Sequence, residues 1–238
     1  RGSPHEAGLD IYWMDDIVIE RDEVLEKSQL DETSLKDIIL GSKLWLIAIA
    51  CIAQGLIKDG IIFWTPTILG DIGGLDESAI AVYSLAIPIM AIMGIFFSGW
   101  LNRKLDYREN ITIIHLIAMG AACIGLLITI DAGVYYNILF LGLAAALGYG
   151  ANTLLLAVIP MGYVGINKSS TVAGFLDFCS YVGAGLGSMF TGFVIDHLGW
   201  RPVMIIWVGL SFLGTLSVLL AEMNKNKVQD GRVYNGET

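Results

Sequence analysis

The chain has 238 residues, of which 55% are hydrophobic and only 16% are charged, a composition typical of a polytopic membrane protein. Its formal charge of -9 is concentrated in residues 1–43, where eleven acidic side chains outnumber five basic ones. The charge therefore marks an acidic, solvated segment and excludes a nucleic-acid-binding surface.

Residues 1–41 are predicted to form a cytoplasmic linker. The chain starts with arginine, and no signal peptide precedes the first apolar segment. We therefore expect an N-terminal part to be missing. Thr33 or Ser34 can cap a short amphipathic helix that runs through Leu40, and we expect this helix to lie along the membrane surface.

Six apolar segments follow, each about 20 residues or longer, which is the length a helix needs to cross the hydrocarbon core. Exposed sheet edges cannot face lipid, so the segments should be helices of one bundle over residues 42–223, followed by a tail at 224–238. The predicted spans are 43–69, 78–101, 111–130, 136–160, 170–196 and 202–222.

Lysine and arginine residues in the loops predict the orientation. The side that holds both chain ends is basic, whereas the opposite side has only Arg201. Both ends should therefore be cytoplasmic. The basic residues on that side are Lys36, Lys43, Arg103, Lys104, Arg108, Lys168, Lys225, Lys227 and Arg232.

The first span contains two ionisable residues, Lys58 and Asp59. Lys58 shares a helical face with Gln54, Cys51 and Thr65, so this face should point into protein or water. Ionisable residues at membrane depth are usually functional, so Lys58 is a candidate substrate-binding residue. The alternative is that Lys58 forms a structural salt bridge within the helix bundle. Asp59 is about 100° away around the helix, so we expect it to pair with a neighbouring helix and not to share a ligand with Lys58.

The fourth and fifth spans also carry polar residues. Tyr149 and Asn152 lie on one face of the fourth span and can bind either a ligand or another helix. Asp177 lies about a third of the way into the fifth span. If it is unpaired it could carry a proton, and if it pairs with Lys58 the pair could break when substrate arrives. A purely structural pair is a further alternative.

The remaining features predict packing. Gly183 and Gly187 form a small-xxx-small pattern that lets two helices approach closely. His115 has no metal-ligating partner at a suitable spacing, and the cysteines lie singly in apolar segments. No nucleophile motif or phosphate-binding loop occurs, so we expect neither an enzyme nor a bound cofactor or metal.

Several motifs together resemble the major facilitator superfamily, and more narrowly its organophosphate:phosphate antiporter family. Ser3-Pro4 with Gly8-Leu9 is similar to the start of that family's central linker. The transmembrane matches are Leu44-Trp45, Ile47–Ala50, Lys58, Gly60, Trp64–Thr67, Ser98–Trp100, Tyr149-Gly150, Ala173–Phe175, Tyr181–Gly183, Asp196 and Gly199-Trp200.

The resemblance implies a fold of twelve spans in two halves, of which this chain would be the second. Lys58 stands where many family members have a substrate-binding arginine. By resemblance, Lys58, Gln54, Tyr149 and Asn152 would bind a small anionic solute in a central cavity. The expected partners are that solute, the bilayer of the plasma or inner membrane, and an N-terminal six-helix half.

Three functions remain open at this point. The first is exchange of a small organophosphate for inorganic phosphate by alternating access, with Lys58 at the midplane. The second is proton-coupled transport of a neutral or cationic solute with Asp177 as the proton carrier, because Lys58, Asp59 and Asp177 together carry one net negative charge. The third is a sugar-phosphate sensor that keeps the transporter fold.

Overall fold

The computed structural model describes residues 35–105 and 108–234, and every regular element in these ranges is helical. A π-helical turn at Leu154–Val158 and a 3-10 helix at Ile159–Ile166 follow the α-helix Val134–Thr153. The α-helices are α1 Leu35–Gly41, α2 Leu44–Asp71, α3 Glu77–Ser84, α4 Ala86–Leu105, α5 Arg108–Thr129, α6 Val134–Thr153, α7 Ser169–Leu198 and α8 Trp200–Tyr234.

Six helical stretches in the described part of the chain are long and apolar enough to cross a membrane. This confirms the predicted all-α, six-helix membrane fold. The stretches are Leu44–Asp71, Glu77–Leu105, Asn110–Thr129, Val134–Val164, Ser169–Leu198 and Trp200–Met223.

The segment before the first span is only partly described. The predicted linker motif at Ser3-Pro4 and both candidate cap residues lie among residues 1–34, outside the described ranges. The helix α1 occupies the place of the predicted amphipathic helix, with Ile38 buried against the bundle and Leu40 exposed. One side of this helix therefore contacts the bundle.

Prolines interrupt two of the spans. Pro88 cannot donate a backbone hydrogen bond to Ser84, and the second span divides there into α3 and α4. Pro160 likewise leaves the carbonyl of Leu156 without its helical donor, and α6 changes there to π-helical and then 3-10 geometry. The irregular turn begins directly after Thr153, so it adjoins the polar stretch of the fourth span.

The helix α2 is the centre of the bundle and packs against α6, α7 and α8. Glycines allow the close approach of α7: a Cβ at Gly183 would lie 2.1 Å from the carbonyl oxygen of Ile52, and one at Gly187 would lie 2.3 Å from Leu56. The small-xxx-small pattern is therefore a helix contact, as the sequence predicts. This contact holds the polar faces of α2 and α7 together.

Candidate functional site

Lys58 lies in the middle of α2 and is 5% exposed. Among the described side chains, it is the only lysine, arginine, aspartate or glutamate that is buried. Its Nζ lies 2.6 Å from Oδ2 of Asp59, the next residue on the same helix. Since a buried ammonium without a partner is costly, this ion pair is what allows the charge to remain in the apolar bundle.

Tyr149 of α6 contacts both members of this pair. Its hydroxyl donates to Oδ1 of Asp59 over 2.8 Å, and its ring faces Nζ of Lys58 with 4.7 Å to the ring centroid. Gly148 makes this approach possible, because a Cβ there would lie 3.0 Å from the Cβ of Lys58. We call Lys58, Asp59 and Tyr149 the Lys58 cluster.

The Lys58 cluster differs in one respect from the arrangement expected from the sequence. Asp59 does bond to a neighbouring helix, through Tyr149, but it also pairs with Lys58. Helical spacing describes the directions of the Cα–Cβ bonds, and the flexible four-carbon stem of lysine spans the remaining angle. The two charged groups therefore share one site although their backbones point about 100° apart.

A second polar group lies one turn away on α2. Nε2 of Gln54 donates to Oδ1 of Asn152 over 2.8 Å and to Oγ of Ser180 over 3.0 Å. These bonds join α2, α6 and α7, and Gln54 is fully buried. Its Oε1 has no hydrogen-bond partner, so the group retains one unused buried acceptor.

The sequence reasoning missed Ser180. A serine in an apolar helix is a weak signal, since its hydroxyl commonly bonds the carbonyl of the preceding turn. Gly183 could have pointed to it, because residues three apart share a helical face and Gly183 marks the face that packs on α2.

Asp177 of α7 is exposed on the bundle surface, as is Tyr181 one turn later. Within the described residues, Asp177 forms no ion pair with Lys58, whose partner is Asp59. The predicted proton-coupling residue is therefore exposed on α7, whereas the predicted anion-binding residue is buried in α2.

His115 and the cysteines take no part in these clusters. Nδ1 of His115 lies 2.8 Å from the carbonyl oxygen of Ile111 in its own helix, and the ring packs against Gly150. Cys51, Cys123 and Cys179 are free and buried. The described part of the chain contains no group of three or more histidine, cysteine or acidic residues that could hold a metal ion.

The sequence matches the family model of the Major Facilitator Superfamily over residues 11–188. The chain belongs to this superfamily. The six-helix bundle is consistent with one half of a major facilitator fold, as the sequence motifs predict.

Several curated proteins resemble the chain. It is 24% identical to the glycerol-3-phosphate transporter of Haemophilus influenzae, over 98% of this chain and 54% of that protein. It is 24% identical to the phosphoglycerate transporter protein of Salmonella typhimurium, over 69% of this chain and 36% of that protein. A third relative, the multidrug resistance protein MdtG of Salmonella arizonae, is 27% identical over 71% of this chain and 41% of its own length.

This major facilitator chain thus spans about half the length of the curated relatives it matches. The family and the names of two relatives are those of membrane transporters and not of enzymes.

Proposed function

We propose that this chain is the C-terminal half of a secondary transporter that exchanges a small organophosphate for inorganic phosphate by alternating access. The observation that carries the proposal is Lys58, a lysine buried at membrane depth on the central helix. Two of the relatives are named as transporters of phosphorylated solutes. A lysine ammonium binds phosphate as a point charge, and the loaded carrier would then change its facing state.

The other binding groups would come from the same helix faces. Tyr149 offers a hydroxyl next to the lysine, and Gln54, whose buried Oε1 has no hydrogen-bond partner, lies one turn away. Asn152 positions Gln54 and faces the same polar region. These four side chains make a site in which an anionic group binds at Lys58 and a hydroxylated body lies towards Gln54.

We further propose that an N-terminal six-helix half covers this face of the bundle. Asp177 is an exposed carboxylate on a membrane-spanning helix, and a carboxylate is not stable against hydrocarbon. It must therefore face a water-filled cavity or another protein unit. The glycerol-3-phosphate transporter that the chain matches is about twice as long as this chain, so its remaining half is about the size of the proposed N-terminal unit.

The orientation proposed from the sequence places both chain ends in the cytoplasm of a plasma or inner membrane. Arg103 and Lys104 lie in the last turn of α4, at the end of the bundle that also holds the start of α2, and this asymmetry supports the assignment. Labelling of single cysteines placed in the loops, before and after membrane permeabilisation, tests it.

A second candidate is proton-coupled transport of a neutral or cationic solute through Asp177. Asp177 is exposed and unpaired among the described side chains, while Lys58 is already neutralised by Asp59. One relative is named as a multidrug resistance protein. In this case uptake would depend on the pH gradient and would fall in Asp177→Asn.

The decisive experiment is phosphate exchange by the protein at its full native length in phosphate-loaded liposomes. We expect Lys58→Ala to abolish exchange of glycerol 3-phosphate and Lys58→Arg to retain part of it, because arginine keeps the charge. Lys104→Ala is the matched control, since Lys104 is an exposed lysine over Trp100 outside the site. Exchange at the wild-type rate in Lys58→Ala would refute the proposal.

A further inference from the structure

We propose that Asn152 recognises the body of the solute. Its amide is held so that it presents a hydrogen-bond donor, and the site thereby prefers phosphate esters that carry a hydroxyl or carbonyl oxygen over plain alkyl phosphates. Gln54 and Ser180 position Asn152 and do not touch the solute. This inference rests on the proposed function and adds to it the feature that distinguishes one phosphate ester from another.

The carbonyl oxygen of Asn152 is engaged within the bundle. Its Oδ1 accepts a hydrogen bond from Nε2 of Gln54 over 2.8 Å and a longer one, of 3.5 Å, from the hydroxyl of Ser180. An amide oxygen has two acceptor lone pairs, so both are in use. Gln54 and Ser180 are 0% and 3% exposed, whereas Asn152 is half-buried. A solute can therefore reach Asn152 but neither of the residues behind it.

The amide of Asn152 has one favourable orientation. In the structure, this polar group leaves one buried atom unpaired, Oε1 of Gln54. Reversal of Asn152 alone would set its Nδ2 against Nε2 of Gln54, which is donor against donor. Reversal of both amides would restore the pairing, but it would bury the two N–H donors of Gln54 in place of Oε1. Two unpaired buried donors cost more than one unpaired oxygen, so the amino group of Asn152 stays on the open side.

This amino group is open to a ligand. Nδ2 of Asn152 donates to none of the described residues and is not enclosed by them. A free amide N–H is costly against hydrocarbon, so this side of the bundle faces water or protein and not lipid. Asp177 lies three residues before Ser180 on α7 and needs the same surroundings because of its charge. The donor therefore lies on the side of the bundle where the proposed cavity lies.

The donor also lies next to the Lys58 cluster. Gln54, which bonds Asn152, precedes Lys58 by one turn of α2. On α6, Asn152 follows Tyr149 by three residues, and the hydroxyl of Tyr149 bonds the partner of Lys58. One turn is about 5.4 Å along the helix axis. A phosphate group at Lys58 therefore places the carbon body of a short ester beside the amide of Asn152.

The fixed donor decides which bodies are accepted. A hydroxyl or carbonyl oxygen at this position accepts a hydrogen bond from Nδ2 of Asn152. An alkyl chain there displaces the water that otherwise solvates the amide and leaves its N–H groups unpaired, which lowers affinity. Lys58 holds the phosphate group in both cases. The difference in affinity between two esters therefore comes from Asn152 and not from the lysine.

Equilibrium binding to the purified protein at its full native length tests the proposal, with glycerol 3-phosphate and propyl phosphate as probes. The two esters share the phosphate group and the length of the carbon chain, and only the first carries hydroxyls. We expect the wild-type protein to prefer glycerol 3-phosphate. Asn152→Leu should weaken its binding by roughly three- to tenfold, since one hydrogen bond is lost, and should leave propyl phosphate binding no weaker. Gln54→Leu should reduce the preference by less, because the amide of Asn152 is then free to reverse.

The control is Asn110→Leu, which replaces an exposed asparagine near the start of α5 and should leave the preference unchanged. A wild-type protein without the preference, an unchanged preference in Asn152→Leu, or equal weakening of both esters there would overturn the role of Asn152. Lys58-dependent binding of both esters would still support the proposed function in that case. Ester binding that does not weaken in Lys58→Ala would instead refute the proposed function itself. If Asn152→Leu does not fold, Gln54→Leu decides, and an unchanged preference there counts against the proposal.

Discussion

The contact between α2 and α7 can be tested with a single added methyl group. In Gly183→Ala, the new Cβ would lie 2.1 Å from the carbonyl oxygen of Ile52. Backbone carbonyls cannot rotate away within a helix, so the two helices must move apart. Gly185→Ala is a matched control two residues further along the same helix, where an added Cβ meets nothing within 4 Å.

The size of the displacement follows from the geometry. The shortest favourable distance between a carbon and a carbonyl oxygen is about 3.3 Å, so α2 and α7 should separate by roughly 1 Å. The bond from Gln54 to Ser180 lies one turn away and is 3.0 Å long. The same separation would lengthen it to roughly 4 Å, beyond the range of a hydrogen bond.

We therefore expect opposite effects on stability from the two variants. Overpacking and the lost hydrogen bond should destabilise Gly183→Ala by about 1–3 kcal/mol. Gly185→Ala should be stabilising by about 0.5–1 kcal/mol, because alanine favours helix over glycine.

Thermal unfolding in detergent, followed by tryptophan fluorescence, measures the difference between the two variants, and exchange in liposomes reports on the site. Equal midpoints for Gly183→Ala and Gly185→Ala would show that the close approach of α2 and α7 is wrong. A destabilised Gly183→Ala with normal exchange would show that this helix contact does not position Gln54.

Two smaller changes test other contacts. Ser180→Ala should lower the free energy of unfolding by about 1 kcal/mol, since Gln54 loses one of its two partners. Chemical denaturation would measure this against Ser188→Ala, which changes a half-buried serine two turns further along α7. Asp76 lies just before the second span, and the hydroxyl of Ser78 lowers its pKa, with a smaller contribution in the same direction from the backbone of Ala79. Asp76 therefore stabilises the fold above its ordinary pKa and loses this contribution as the pH falls through the lowered value. Ser78→Ala should return the Asp76 pKa towards its ordinary value in an NMR titration, and an unmoved pKa would contradict the assigned cause.

Much of the fold could be predicted because its causes are local. Hydrocarbon thickness sets the length of each span, and long apolar runs reveal it without knowledge of the partner helices. Pro88 and Pro160 each remove one helical hydrogen-bond donor, but whether the helix breaks depends on its surroundings, since Pro66 lies inside the unbroken α2. Gly183 and Gly187 likewise indicate a close helix contact from their spacing alone.

Most of the polar residues that meet in the bundle could be selected from the sequence, whereas Ser180 and the bonds between these residues could not. Lys58, Gln54, Tyr149 and Asn152 can be selected as polar residues in apolar helices. Which of them bond to each other depends on how three helices pack, and these helices are separated by long stretches of chain.

By itself, the sequence determined that this protein is a six-helix membrane bundle with a lysine at membrane depth, since apolar length and the cost of a buried charge are properties of single segments. Only the tertiary structure decided that Lys58 pairs with Asp59 and not with Asp177. The physical reason is that an ion pair depends on distances of a few ångströms. Those distances are set by side-chain reach and by the close approach of Gly148 to Lys58, neither of which helical periodicity describes.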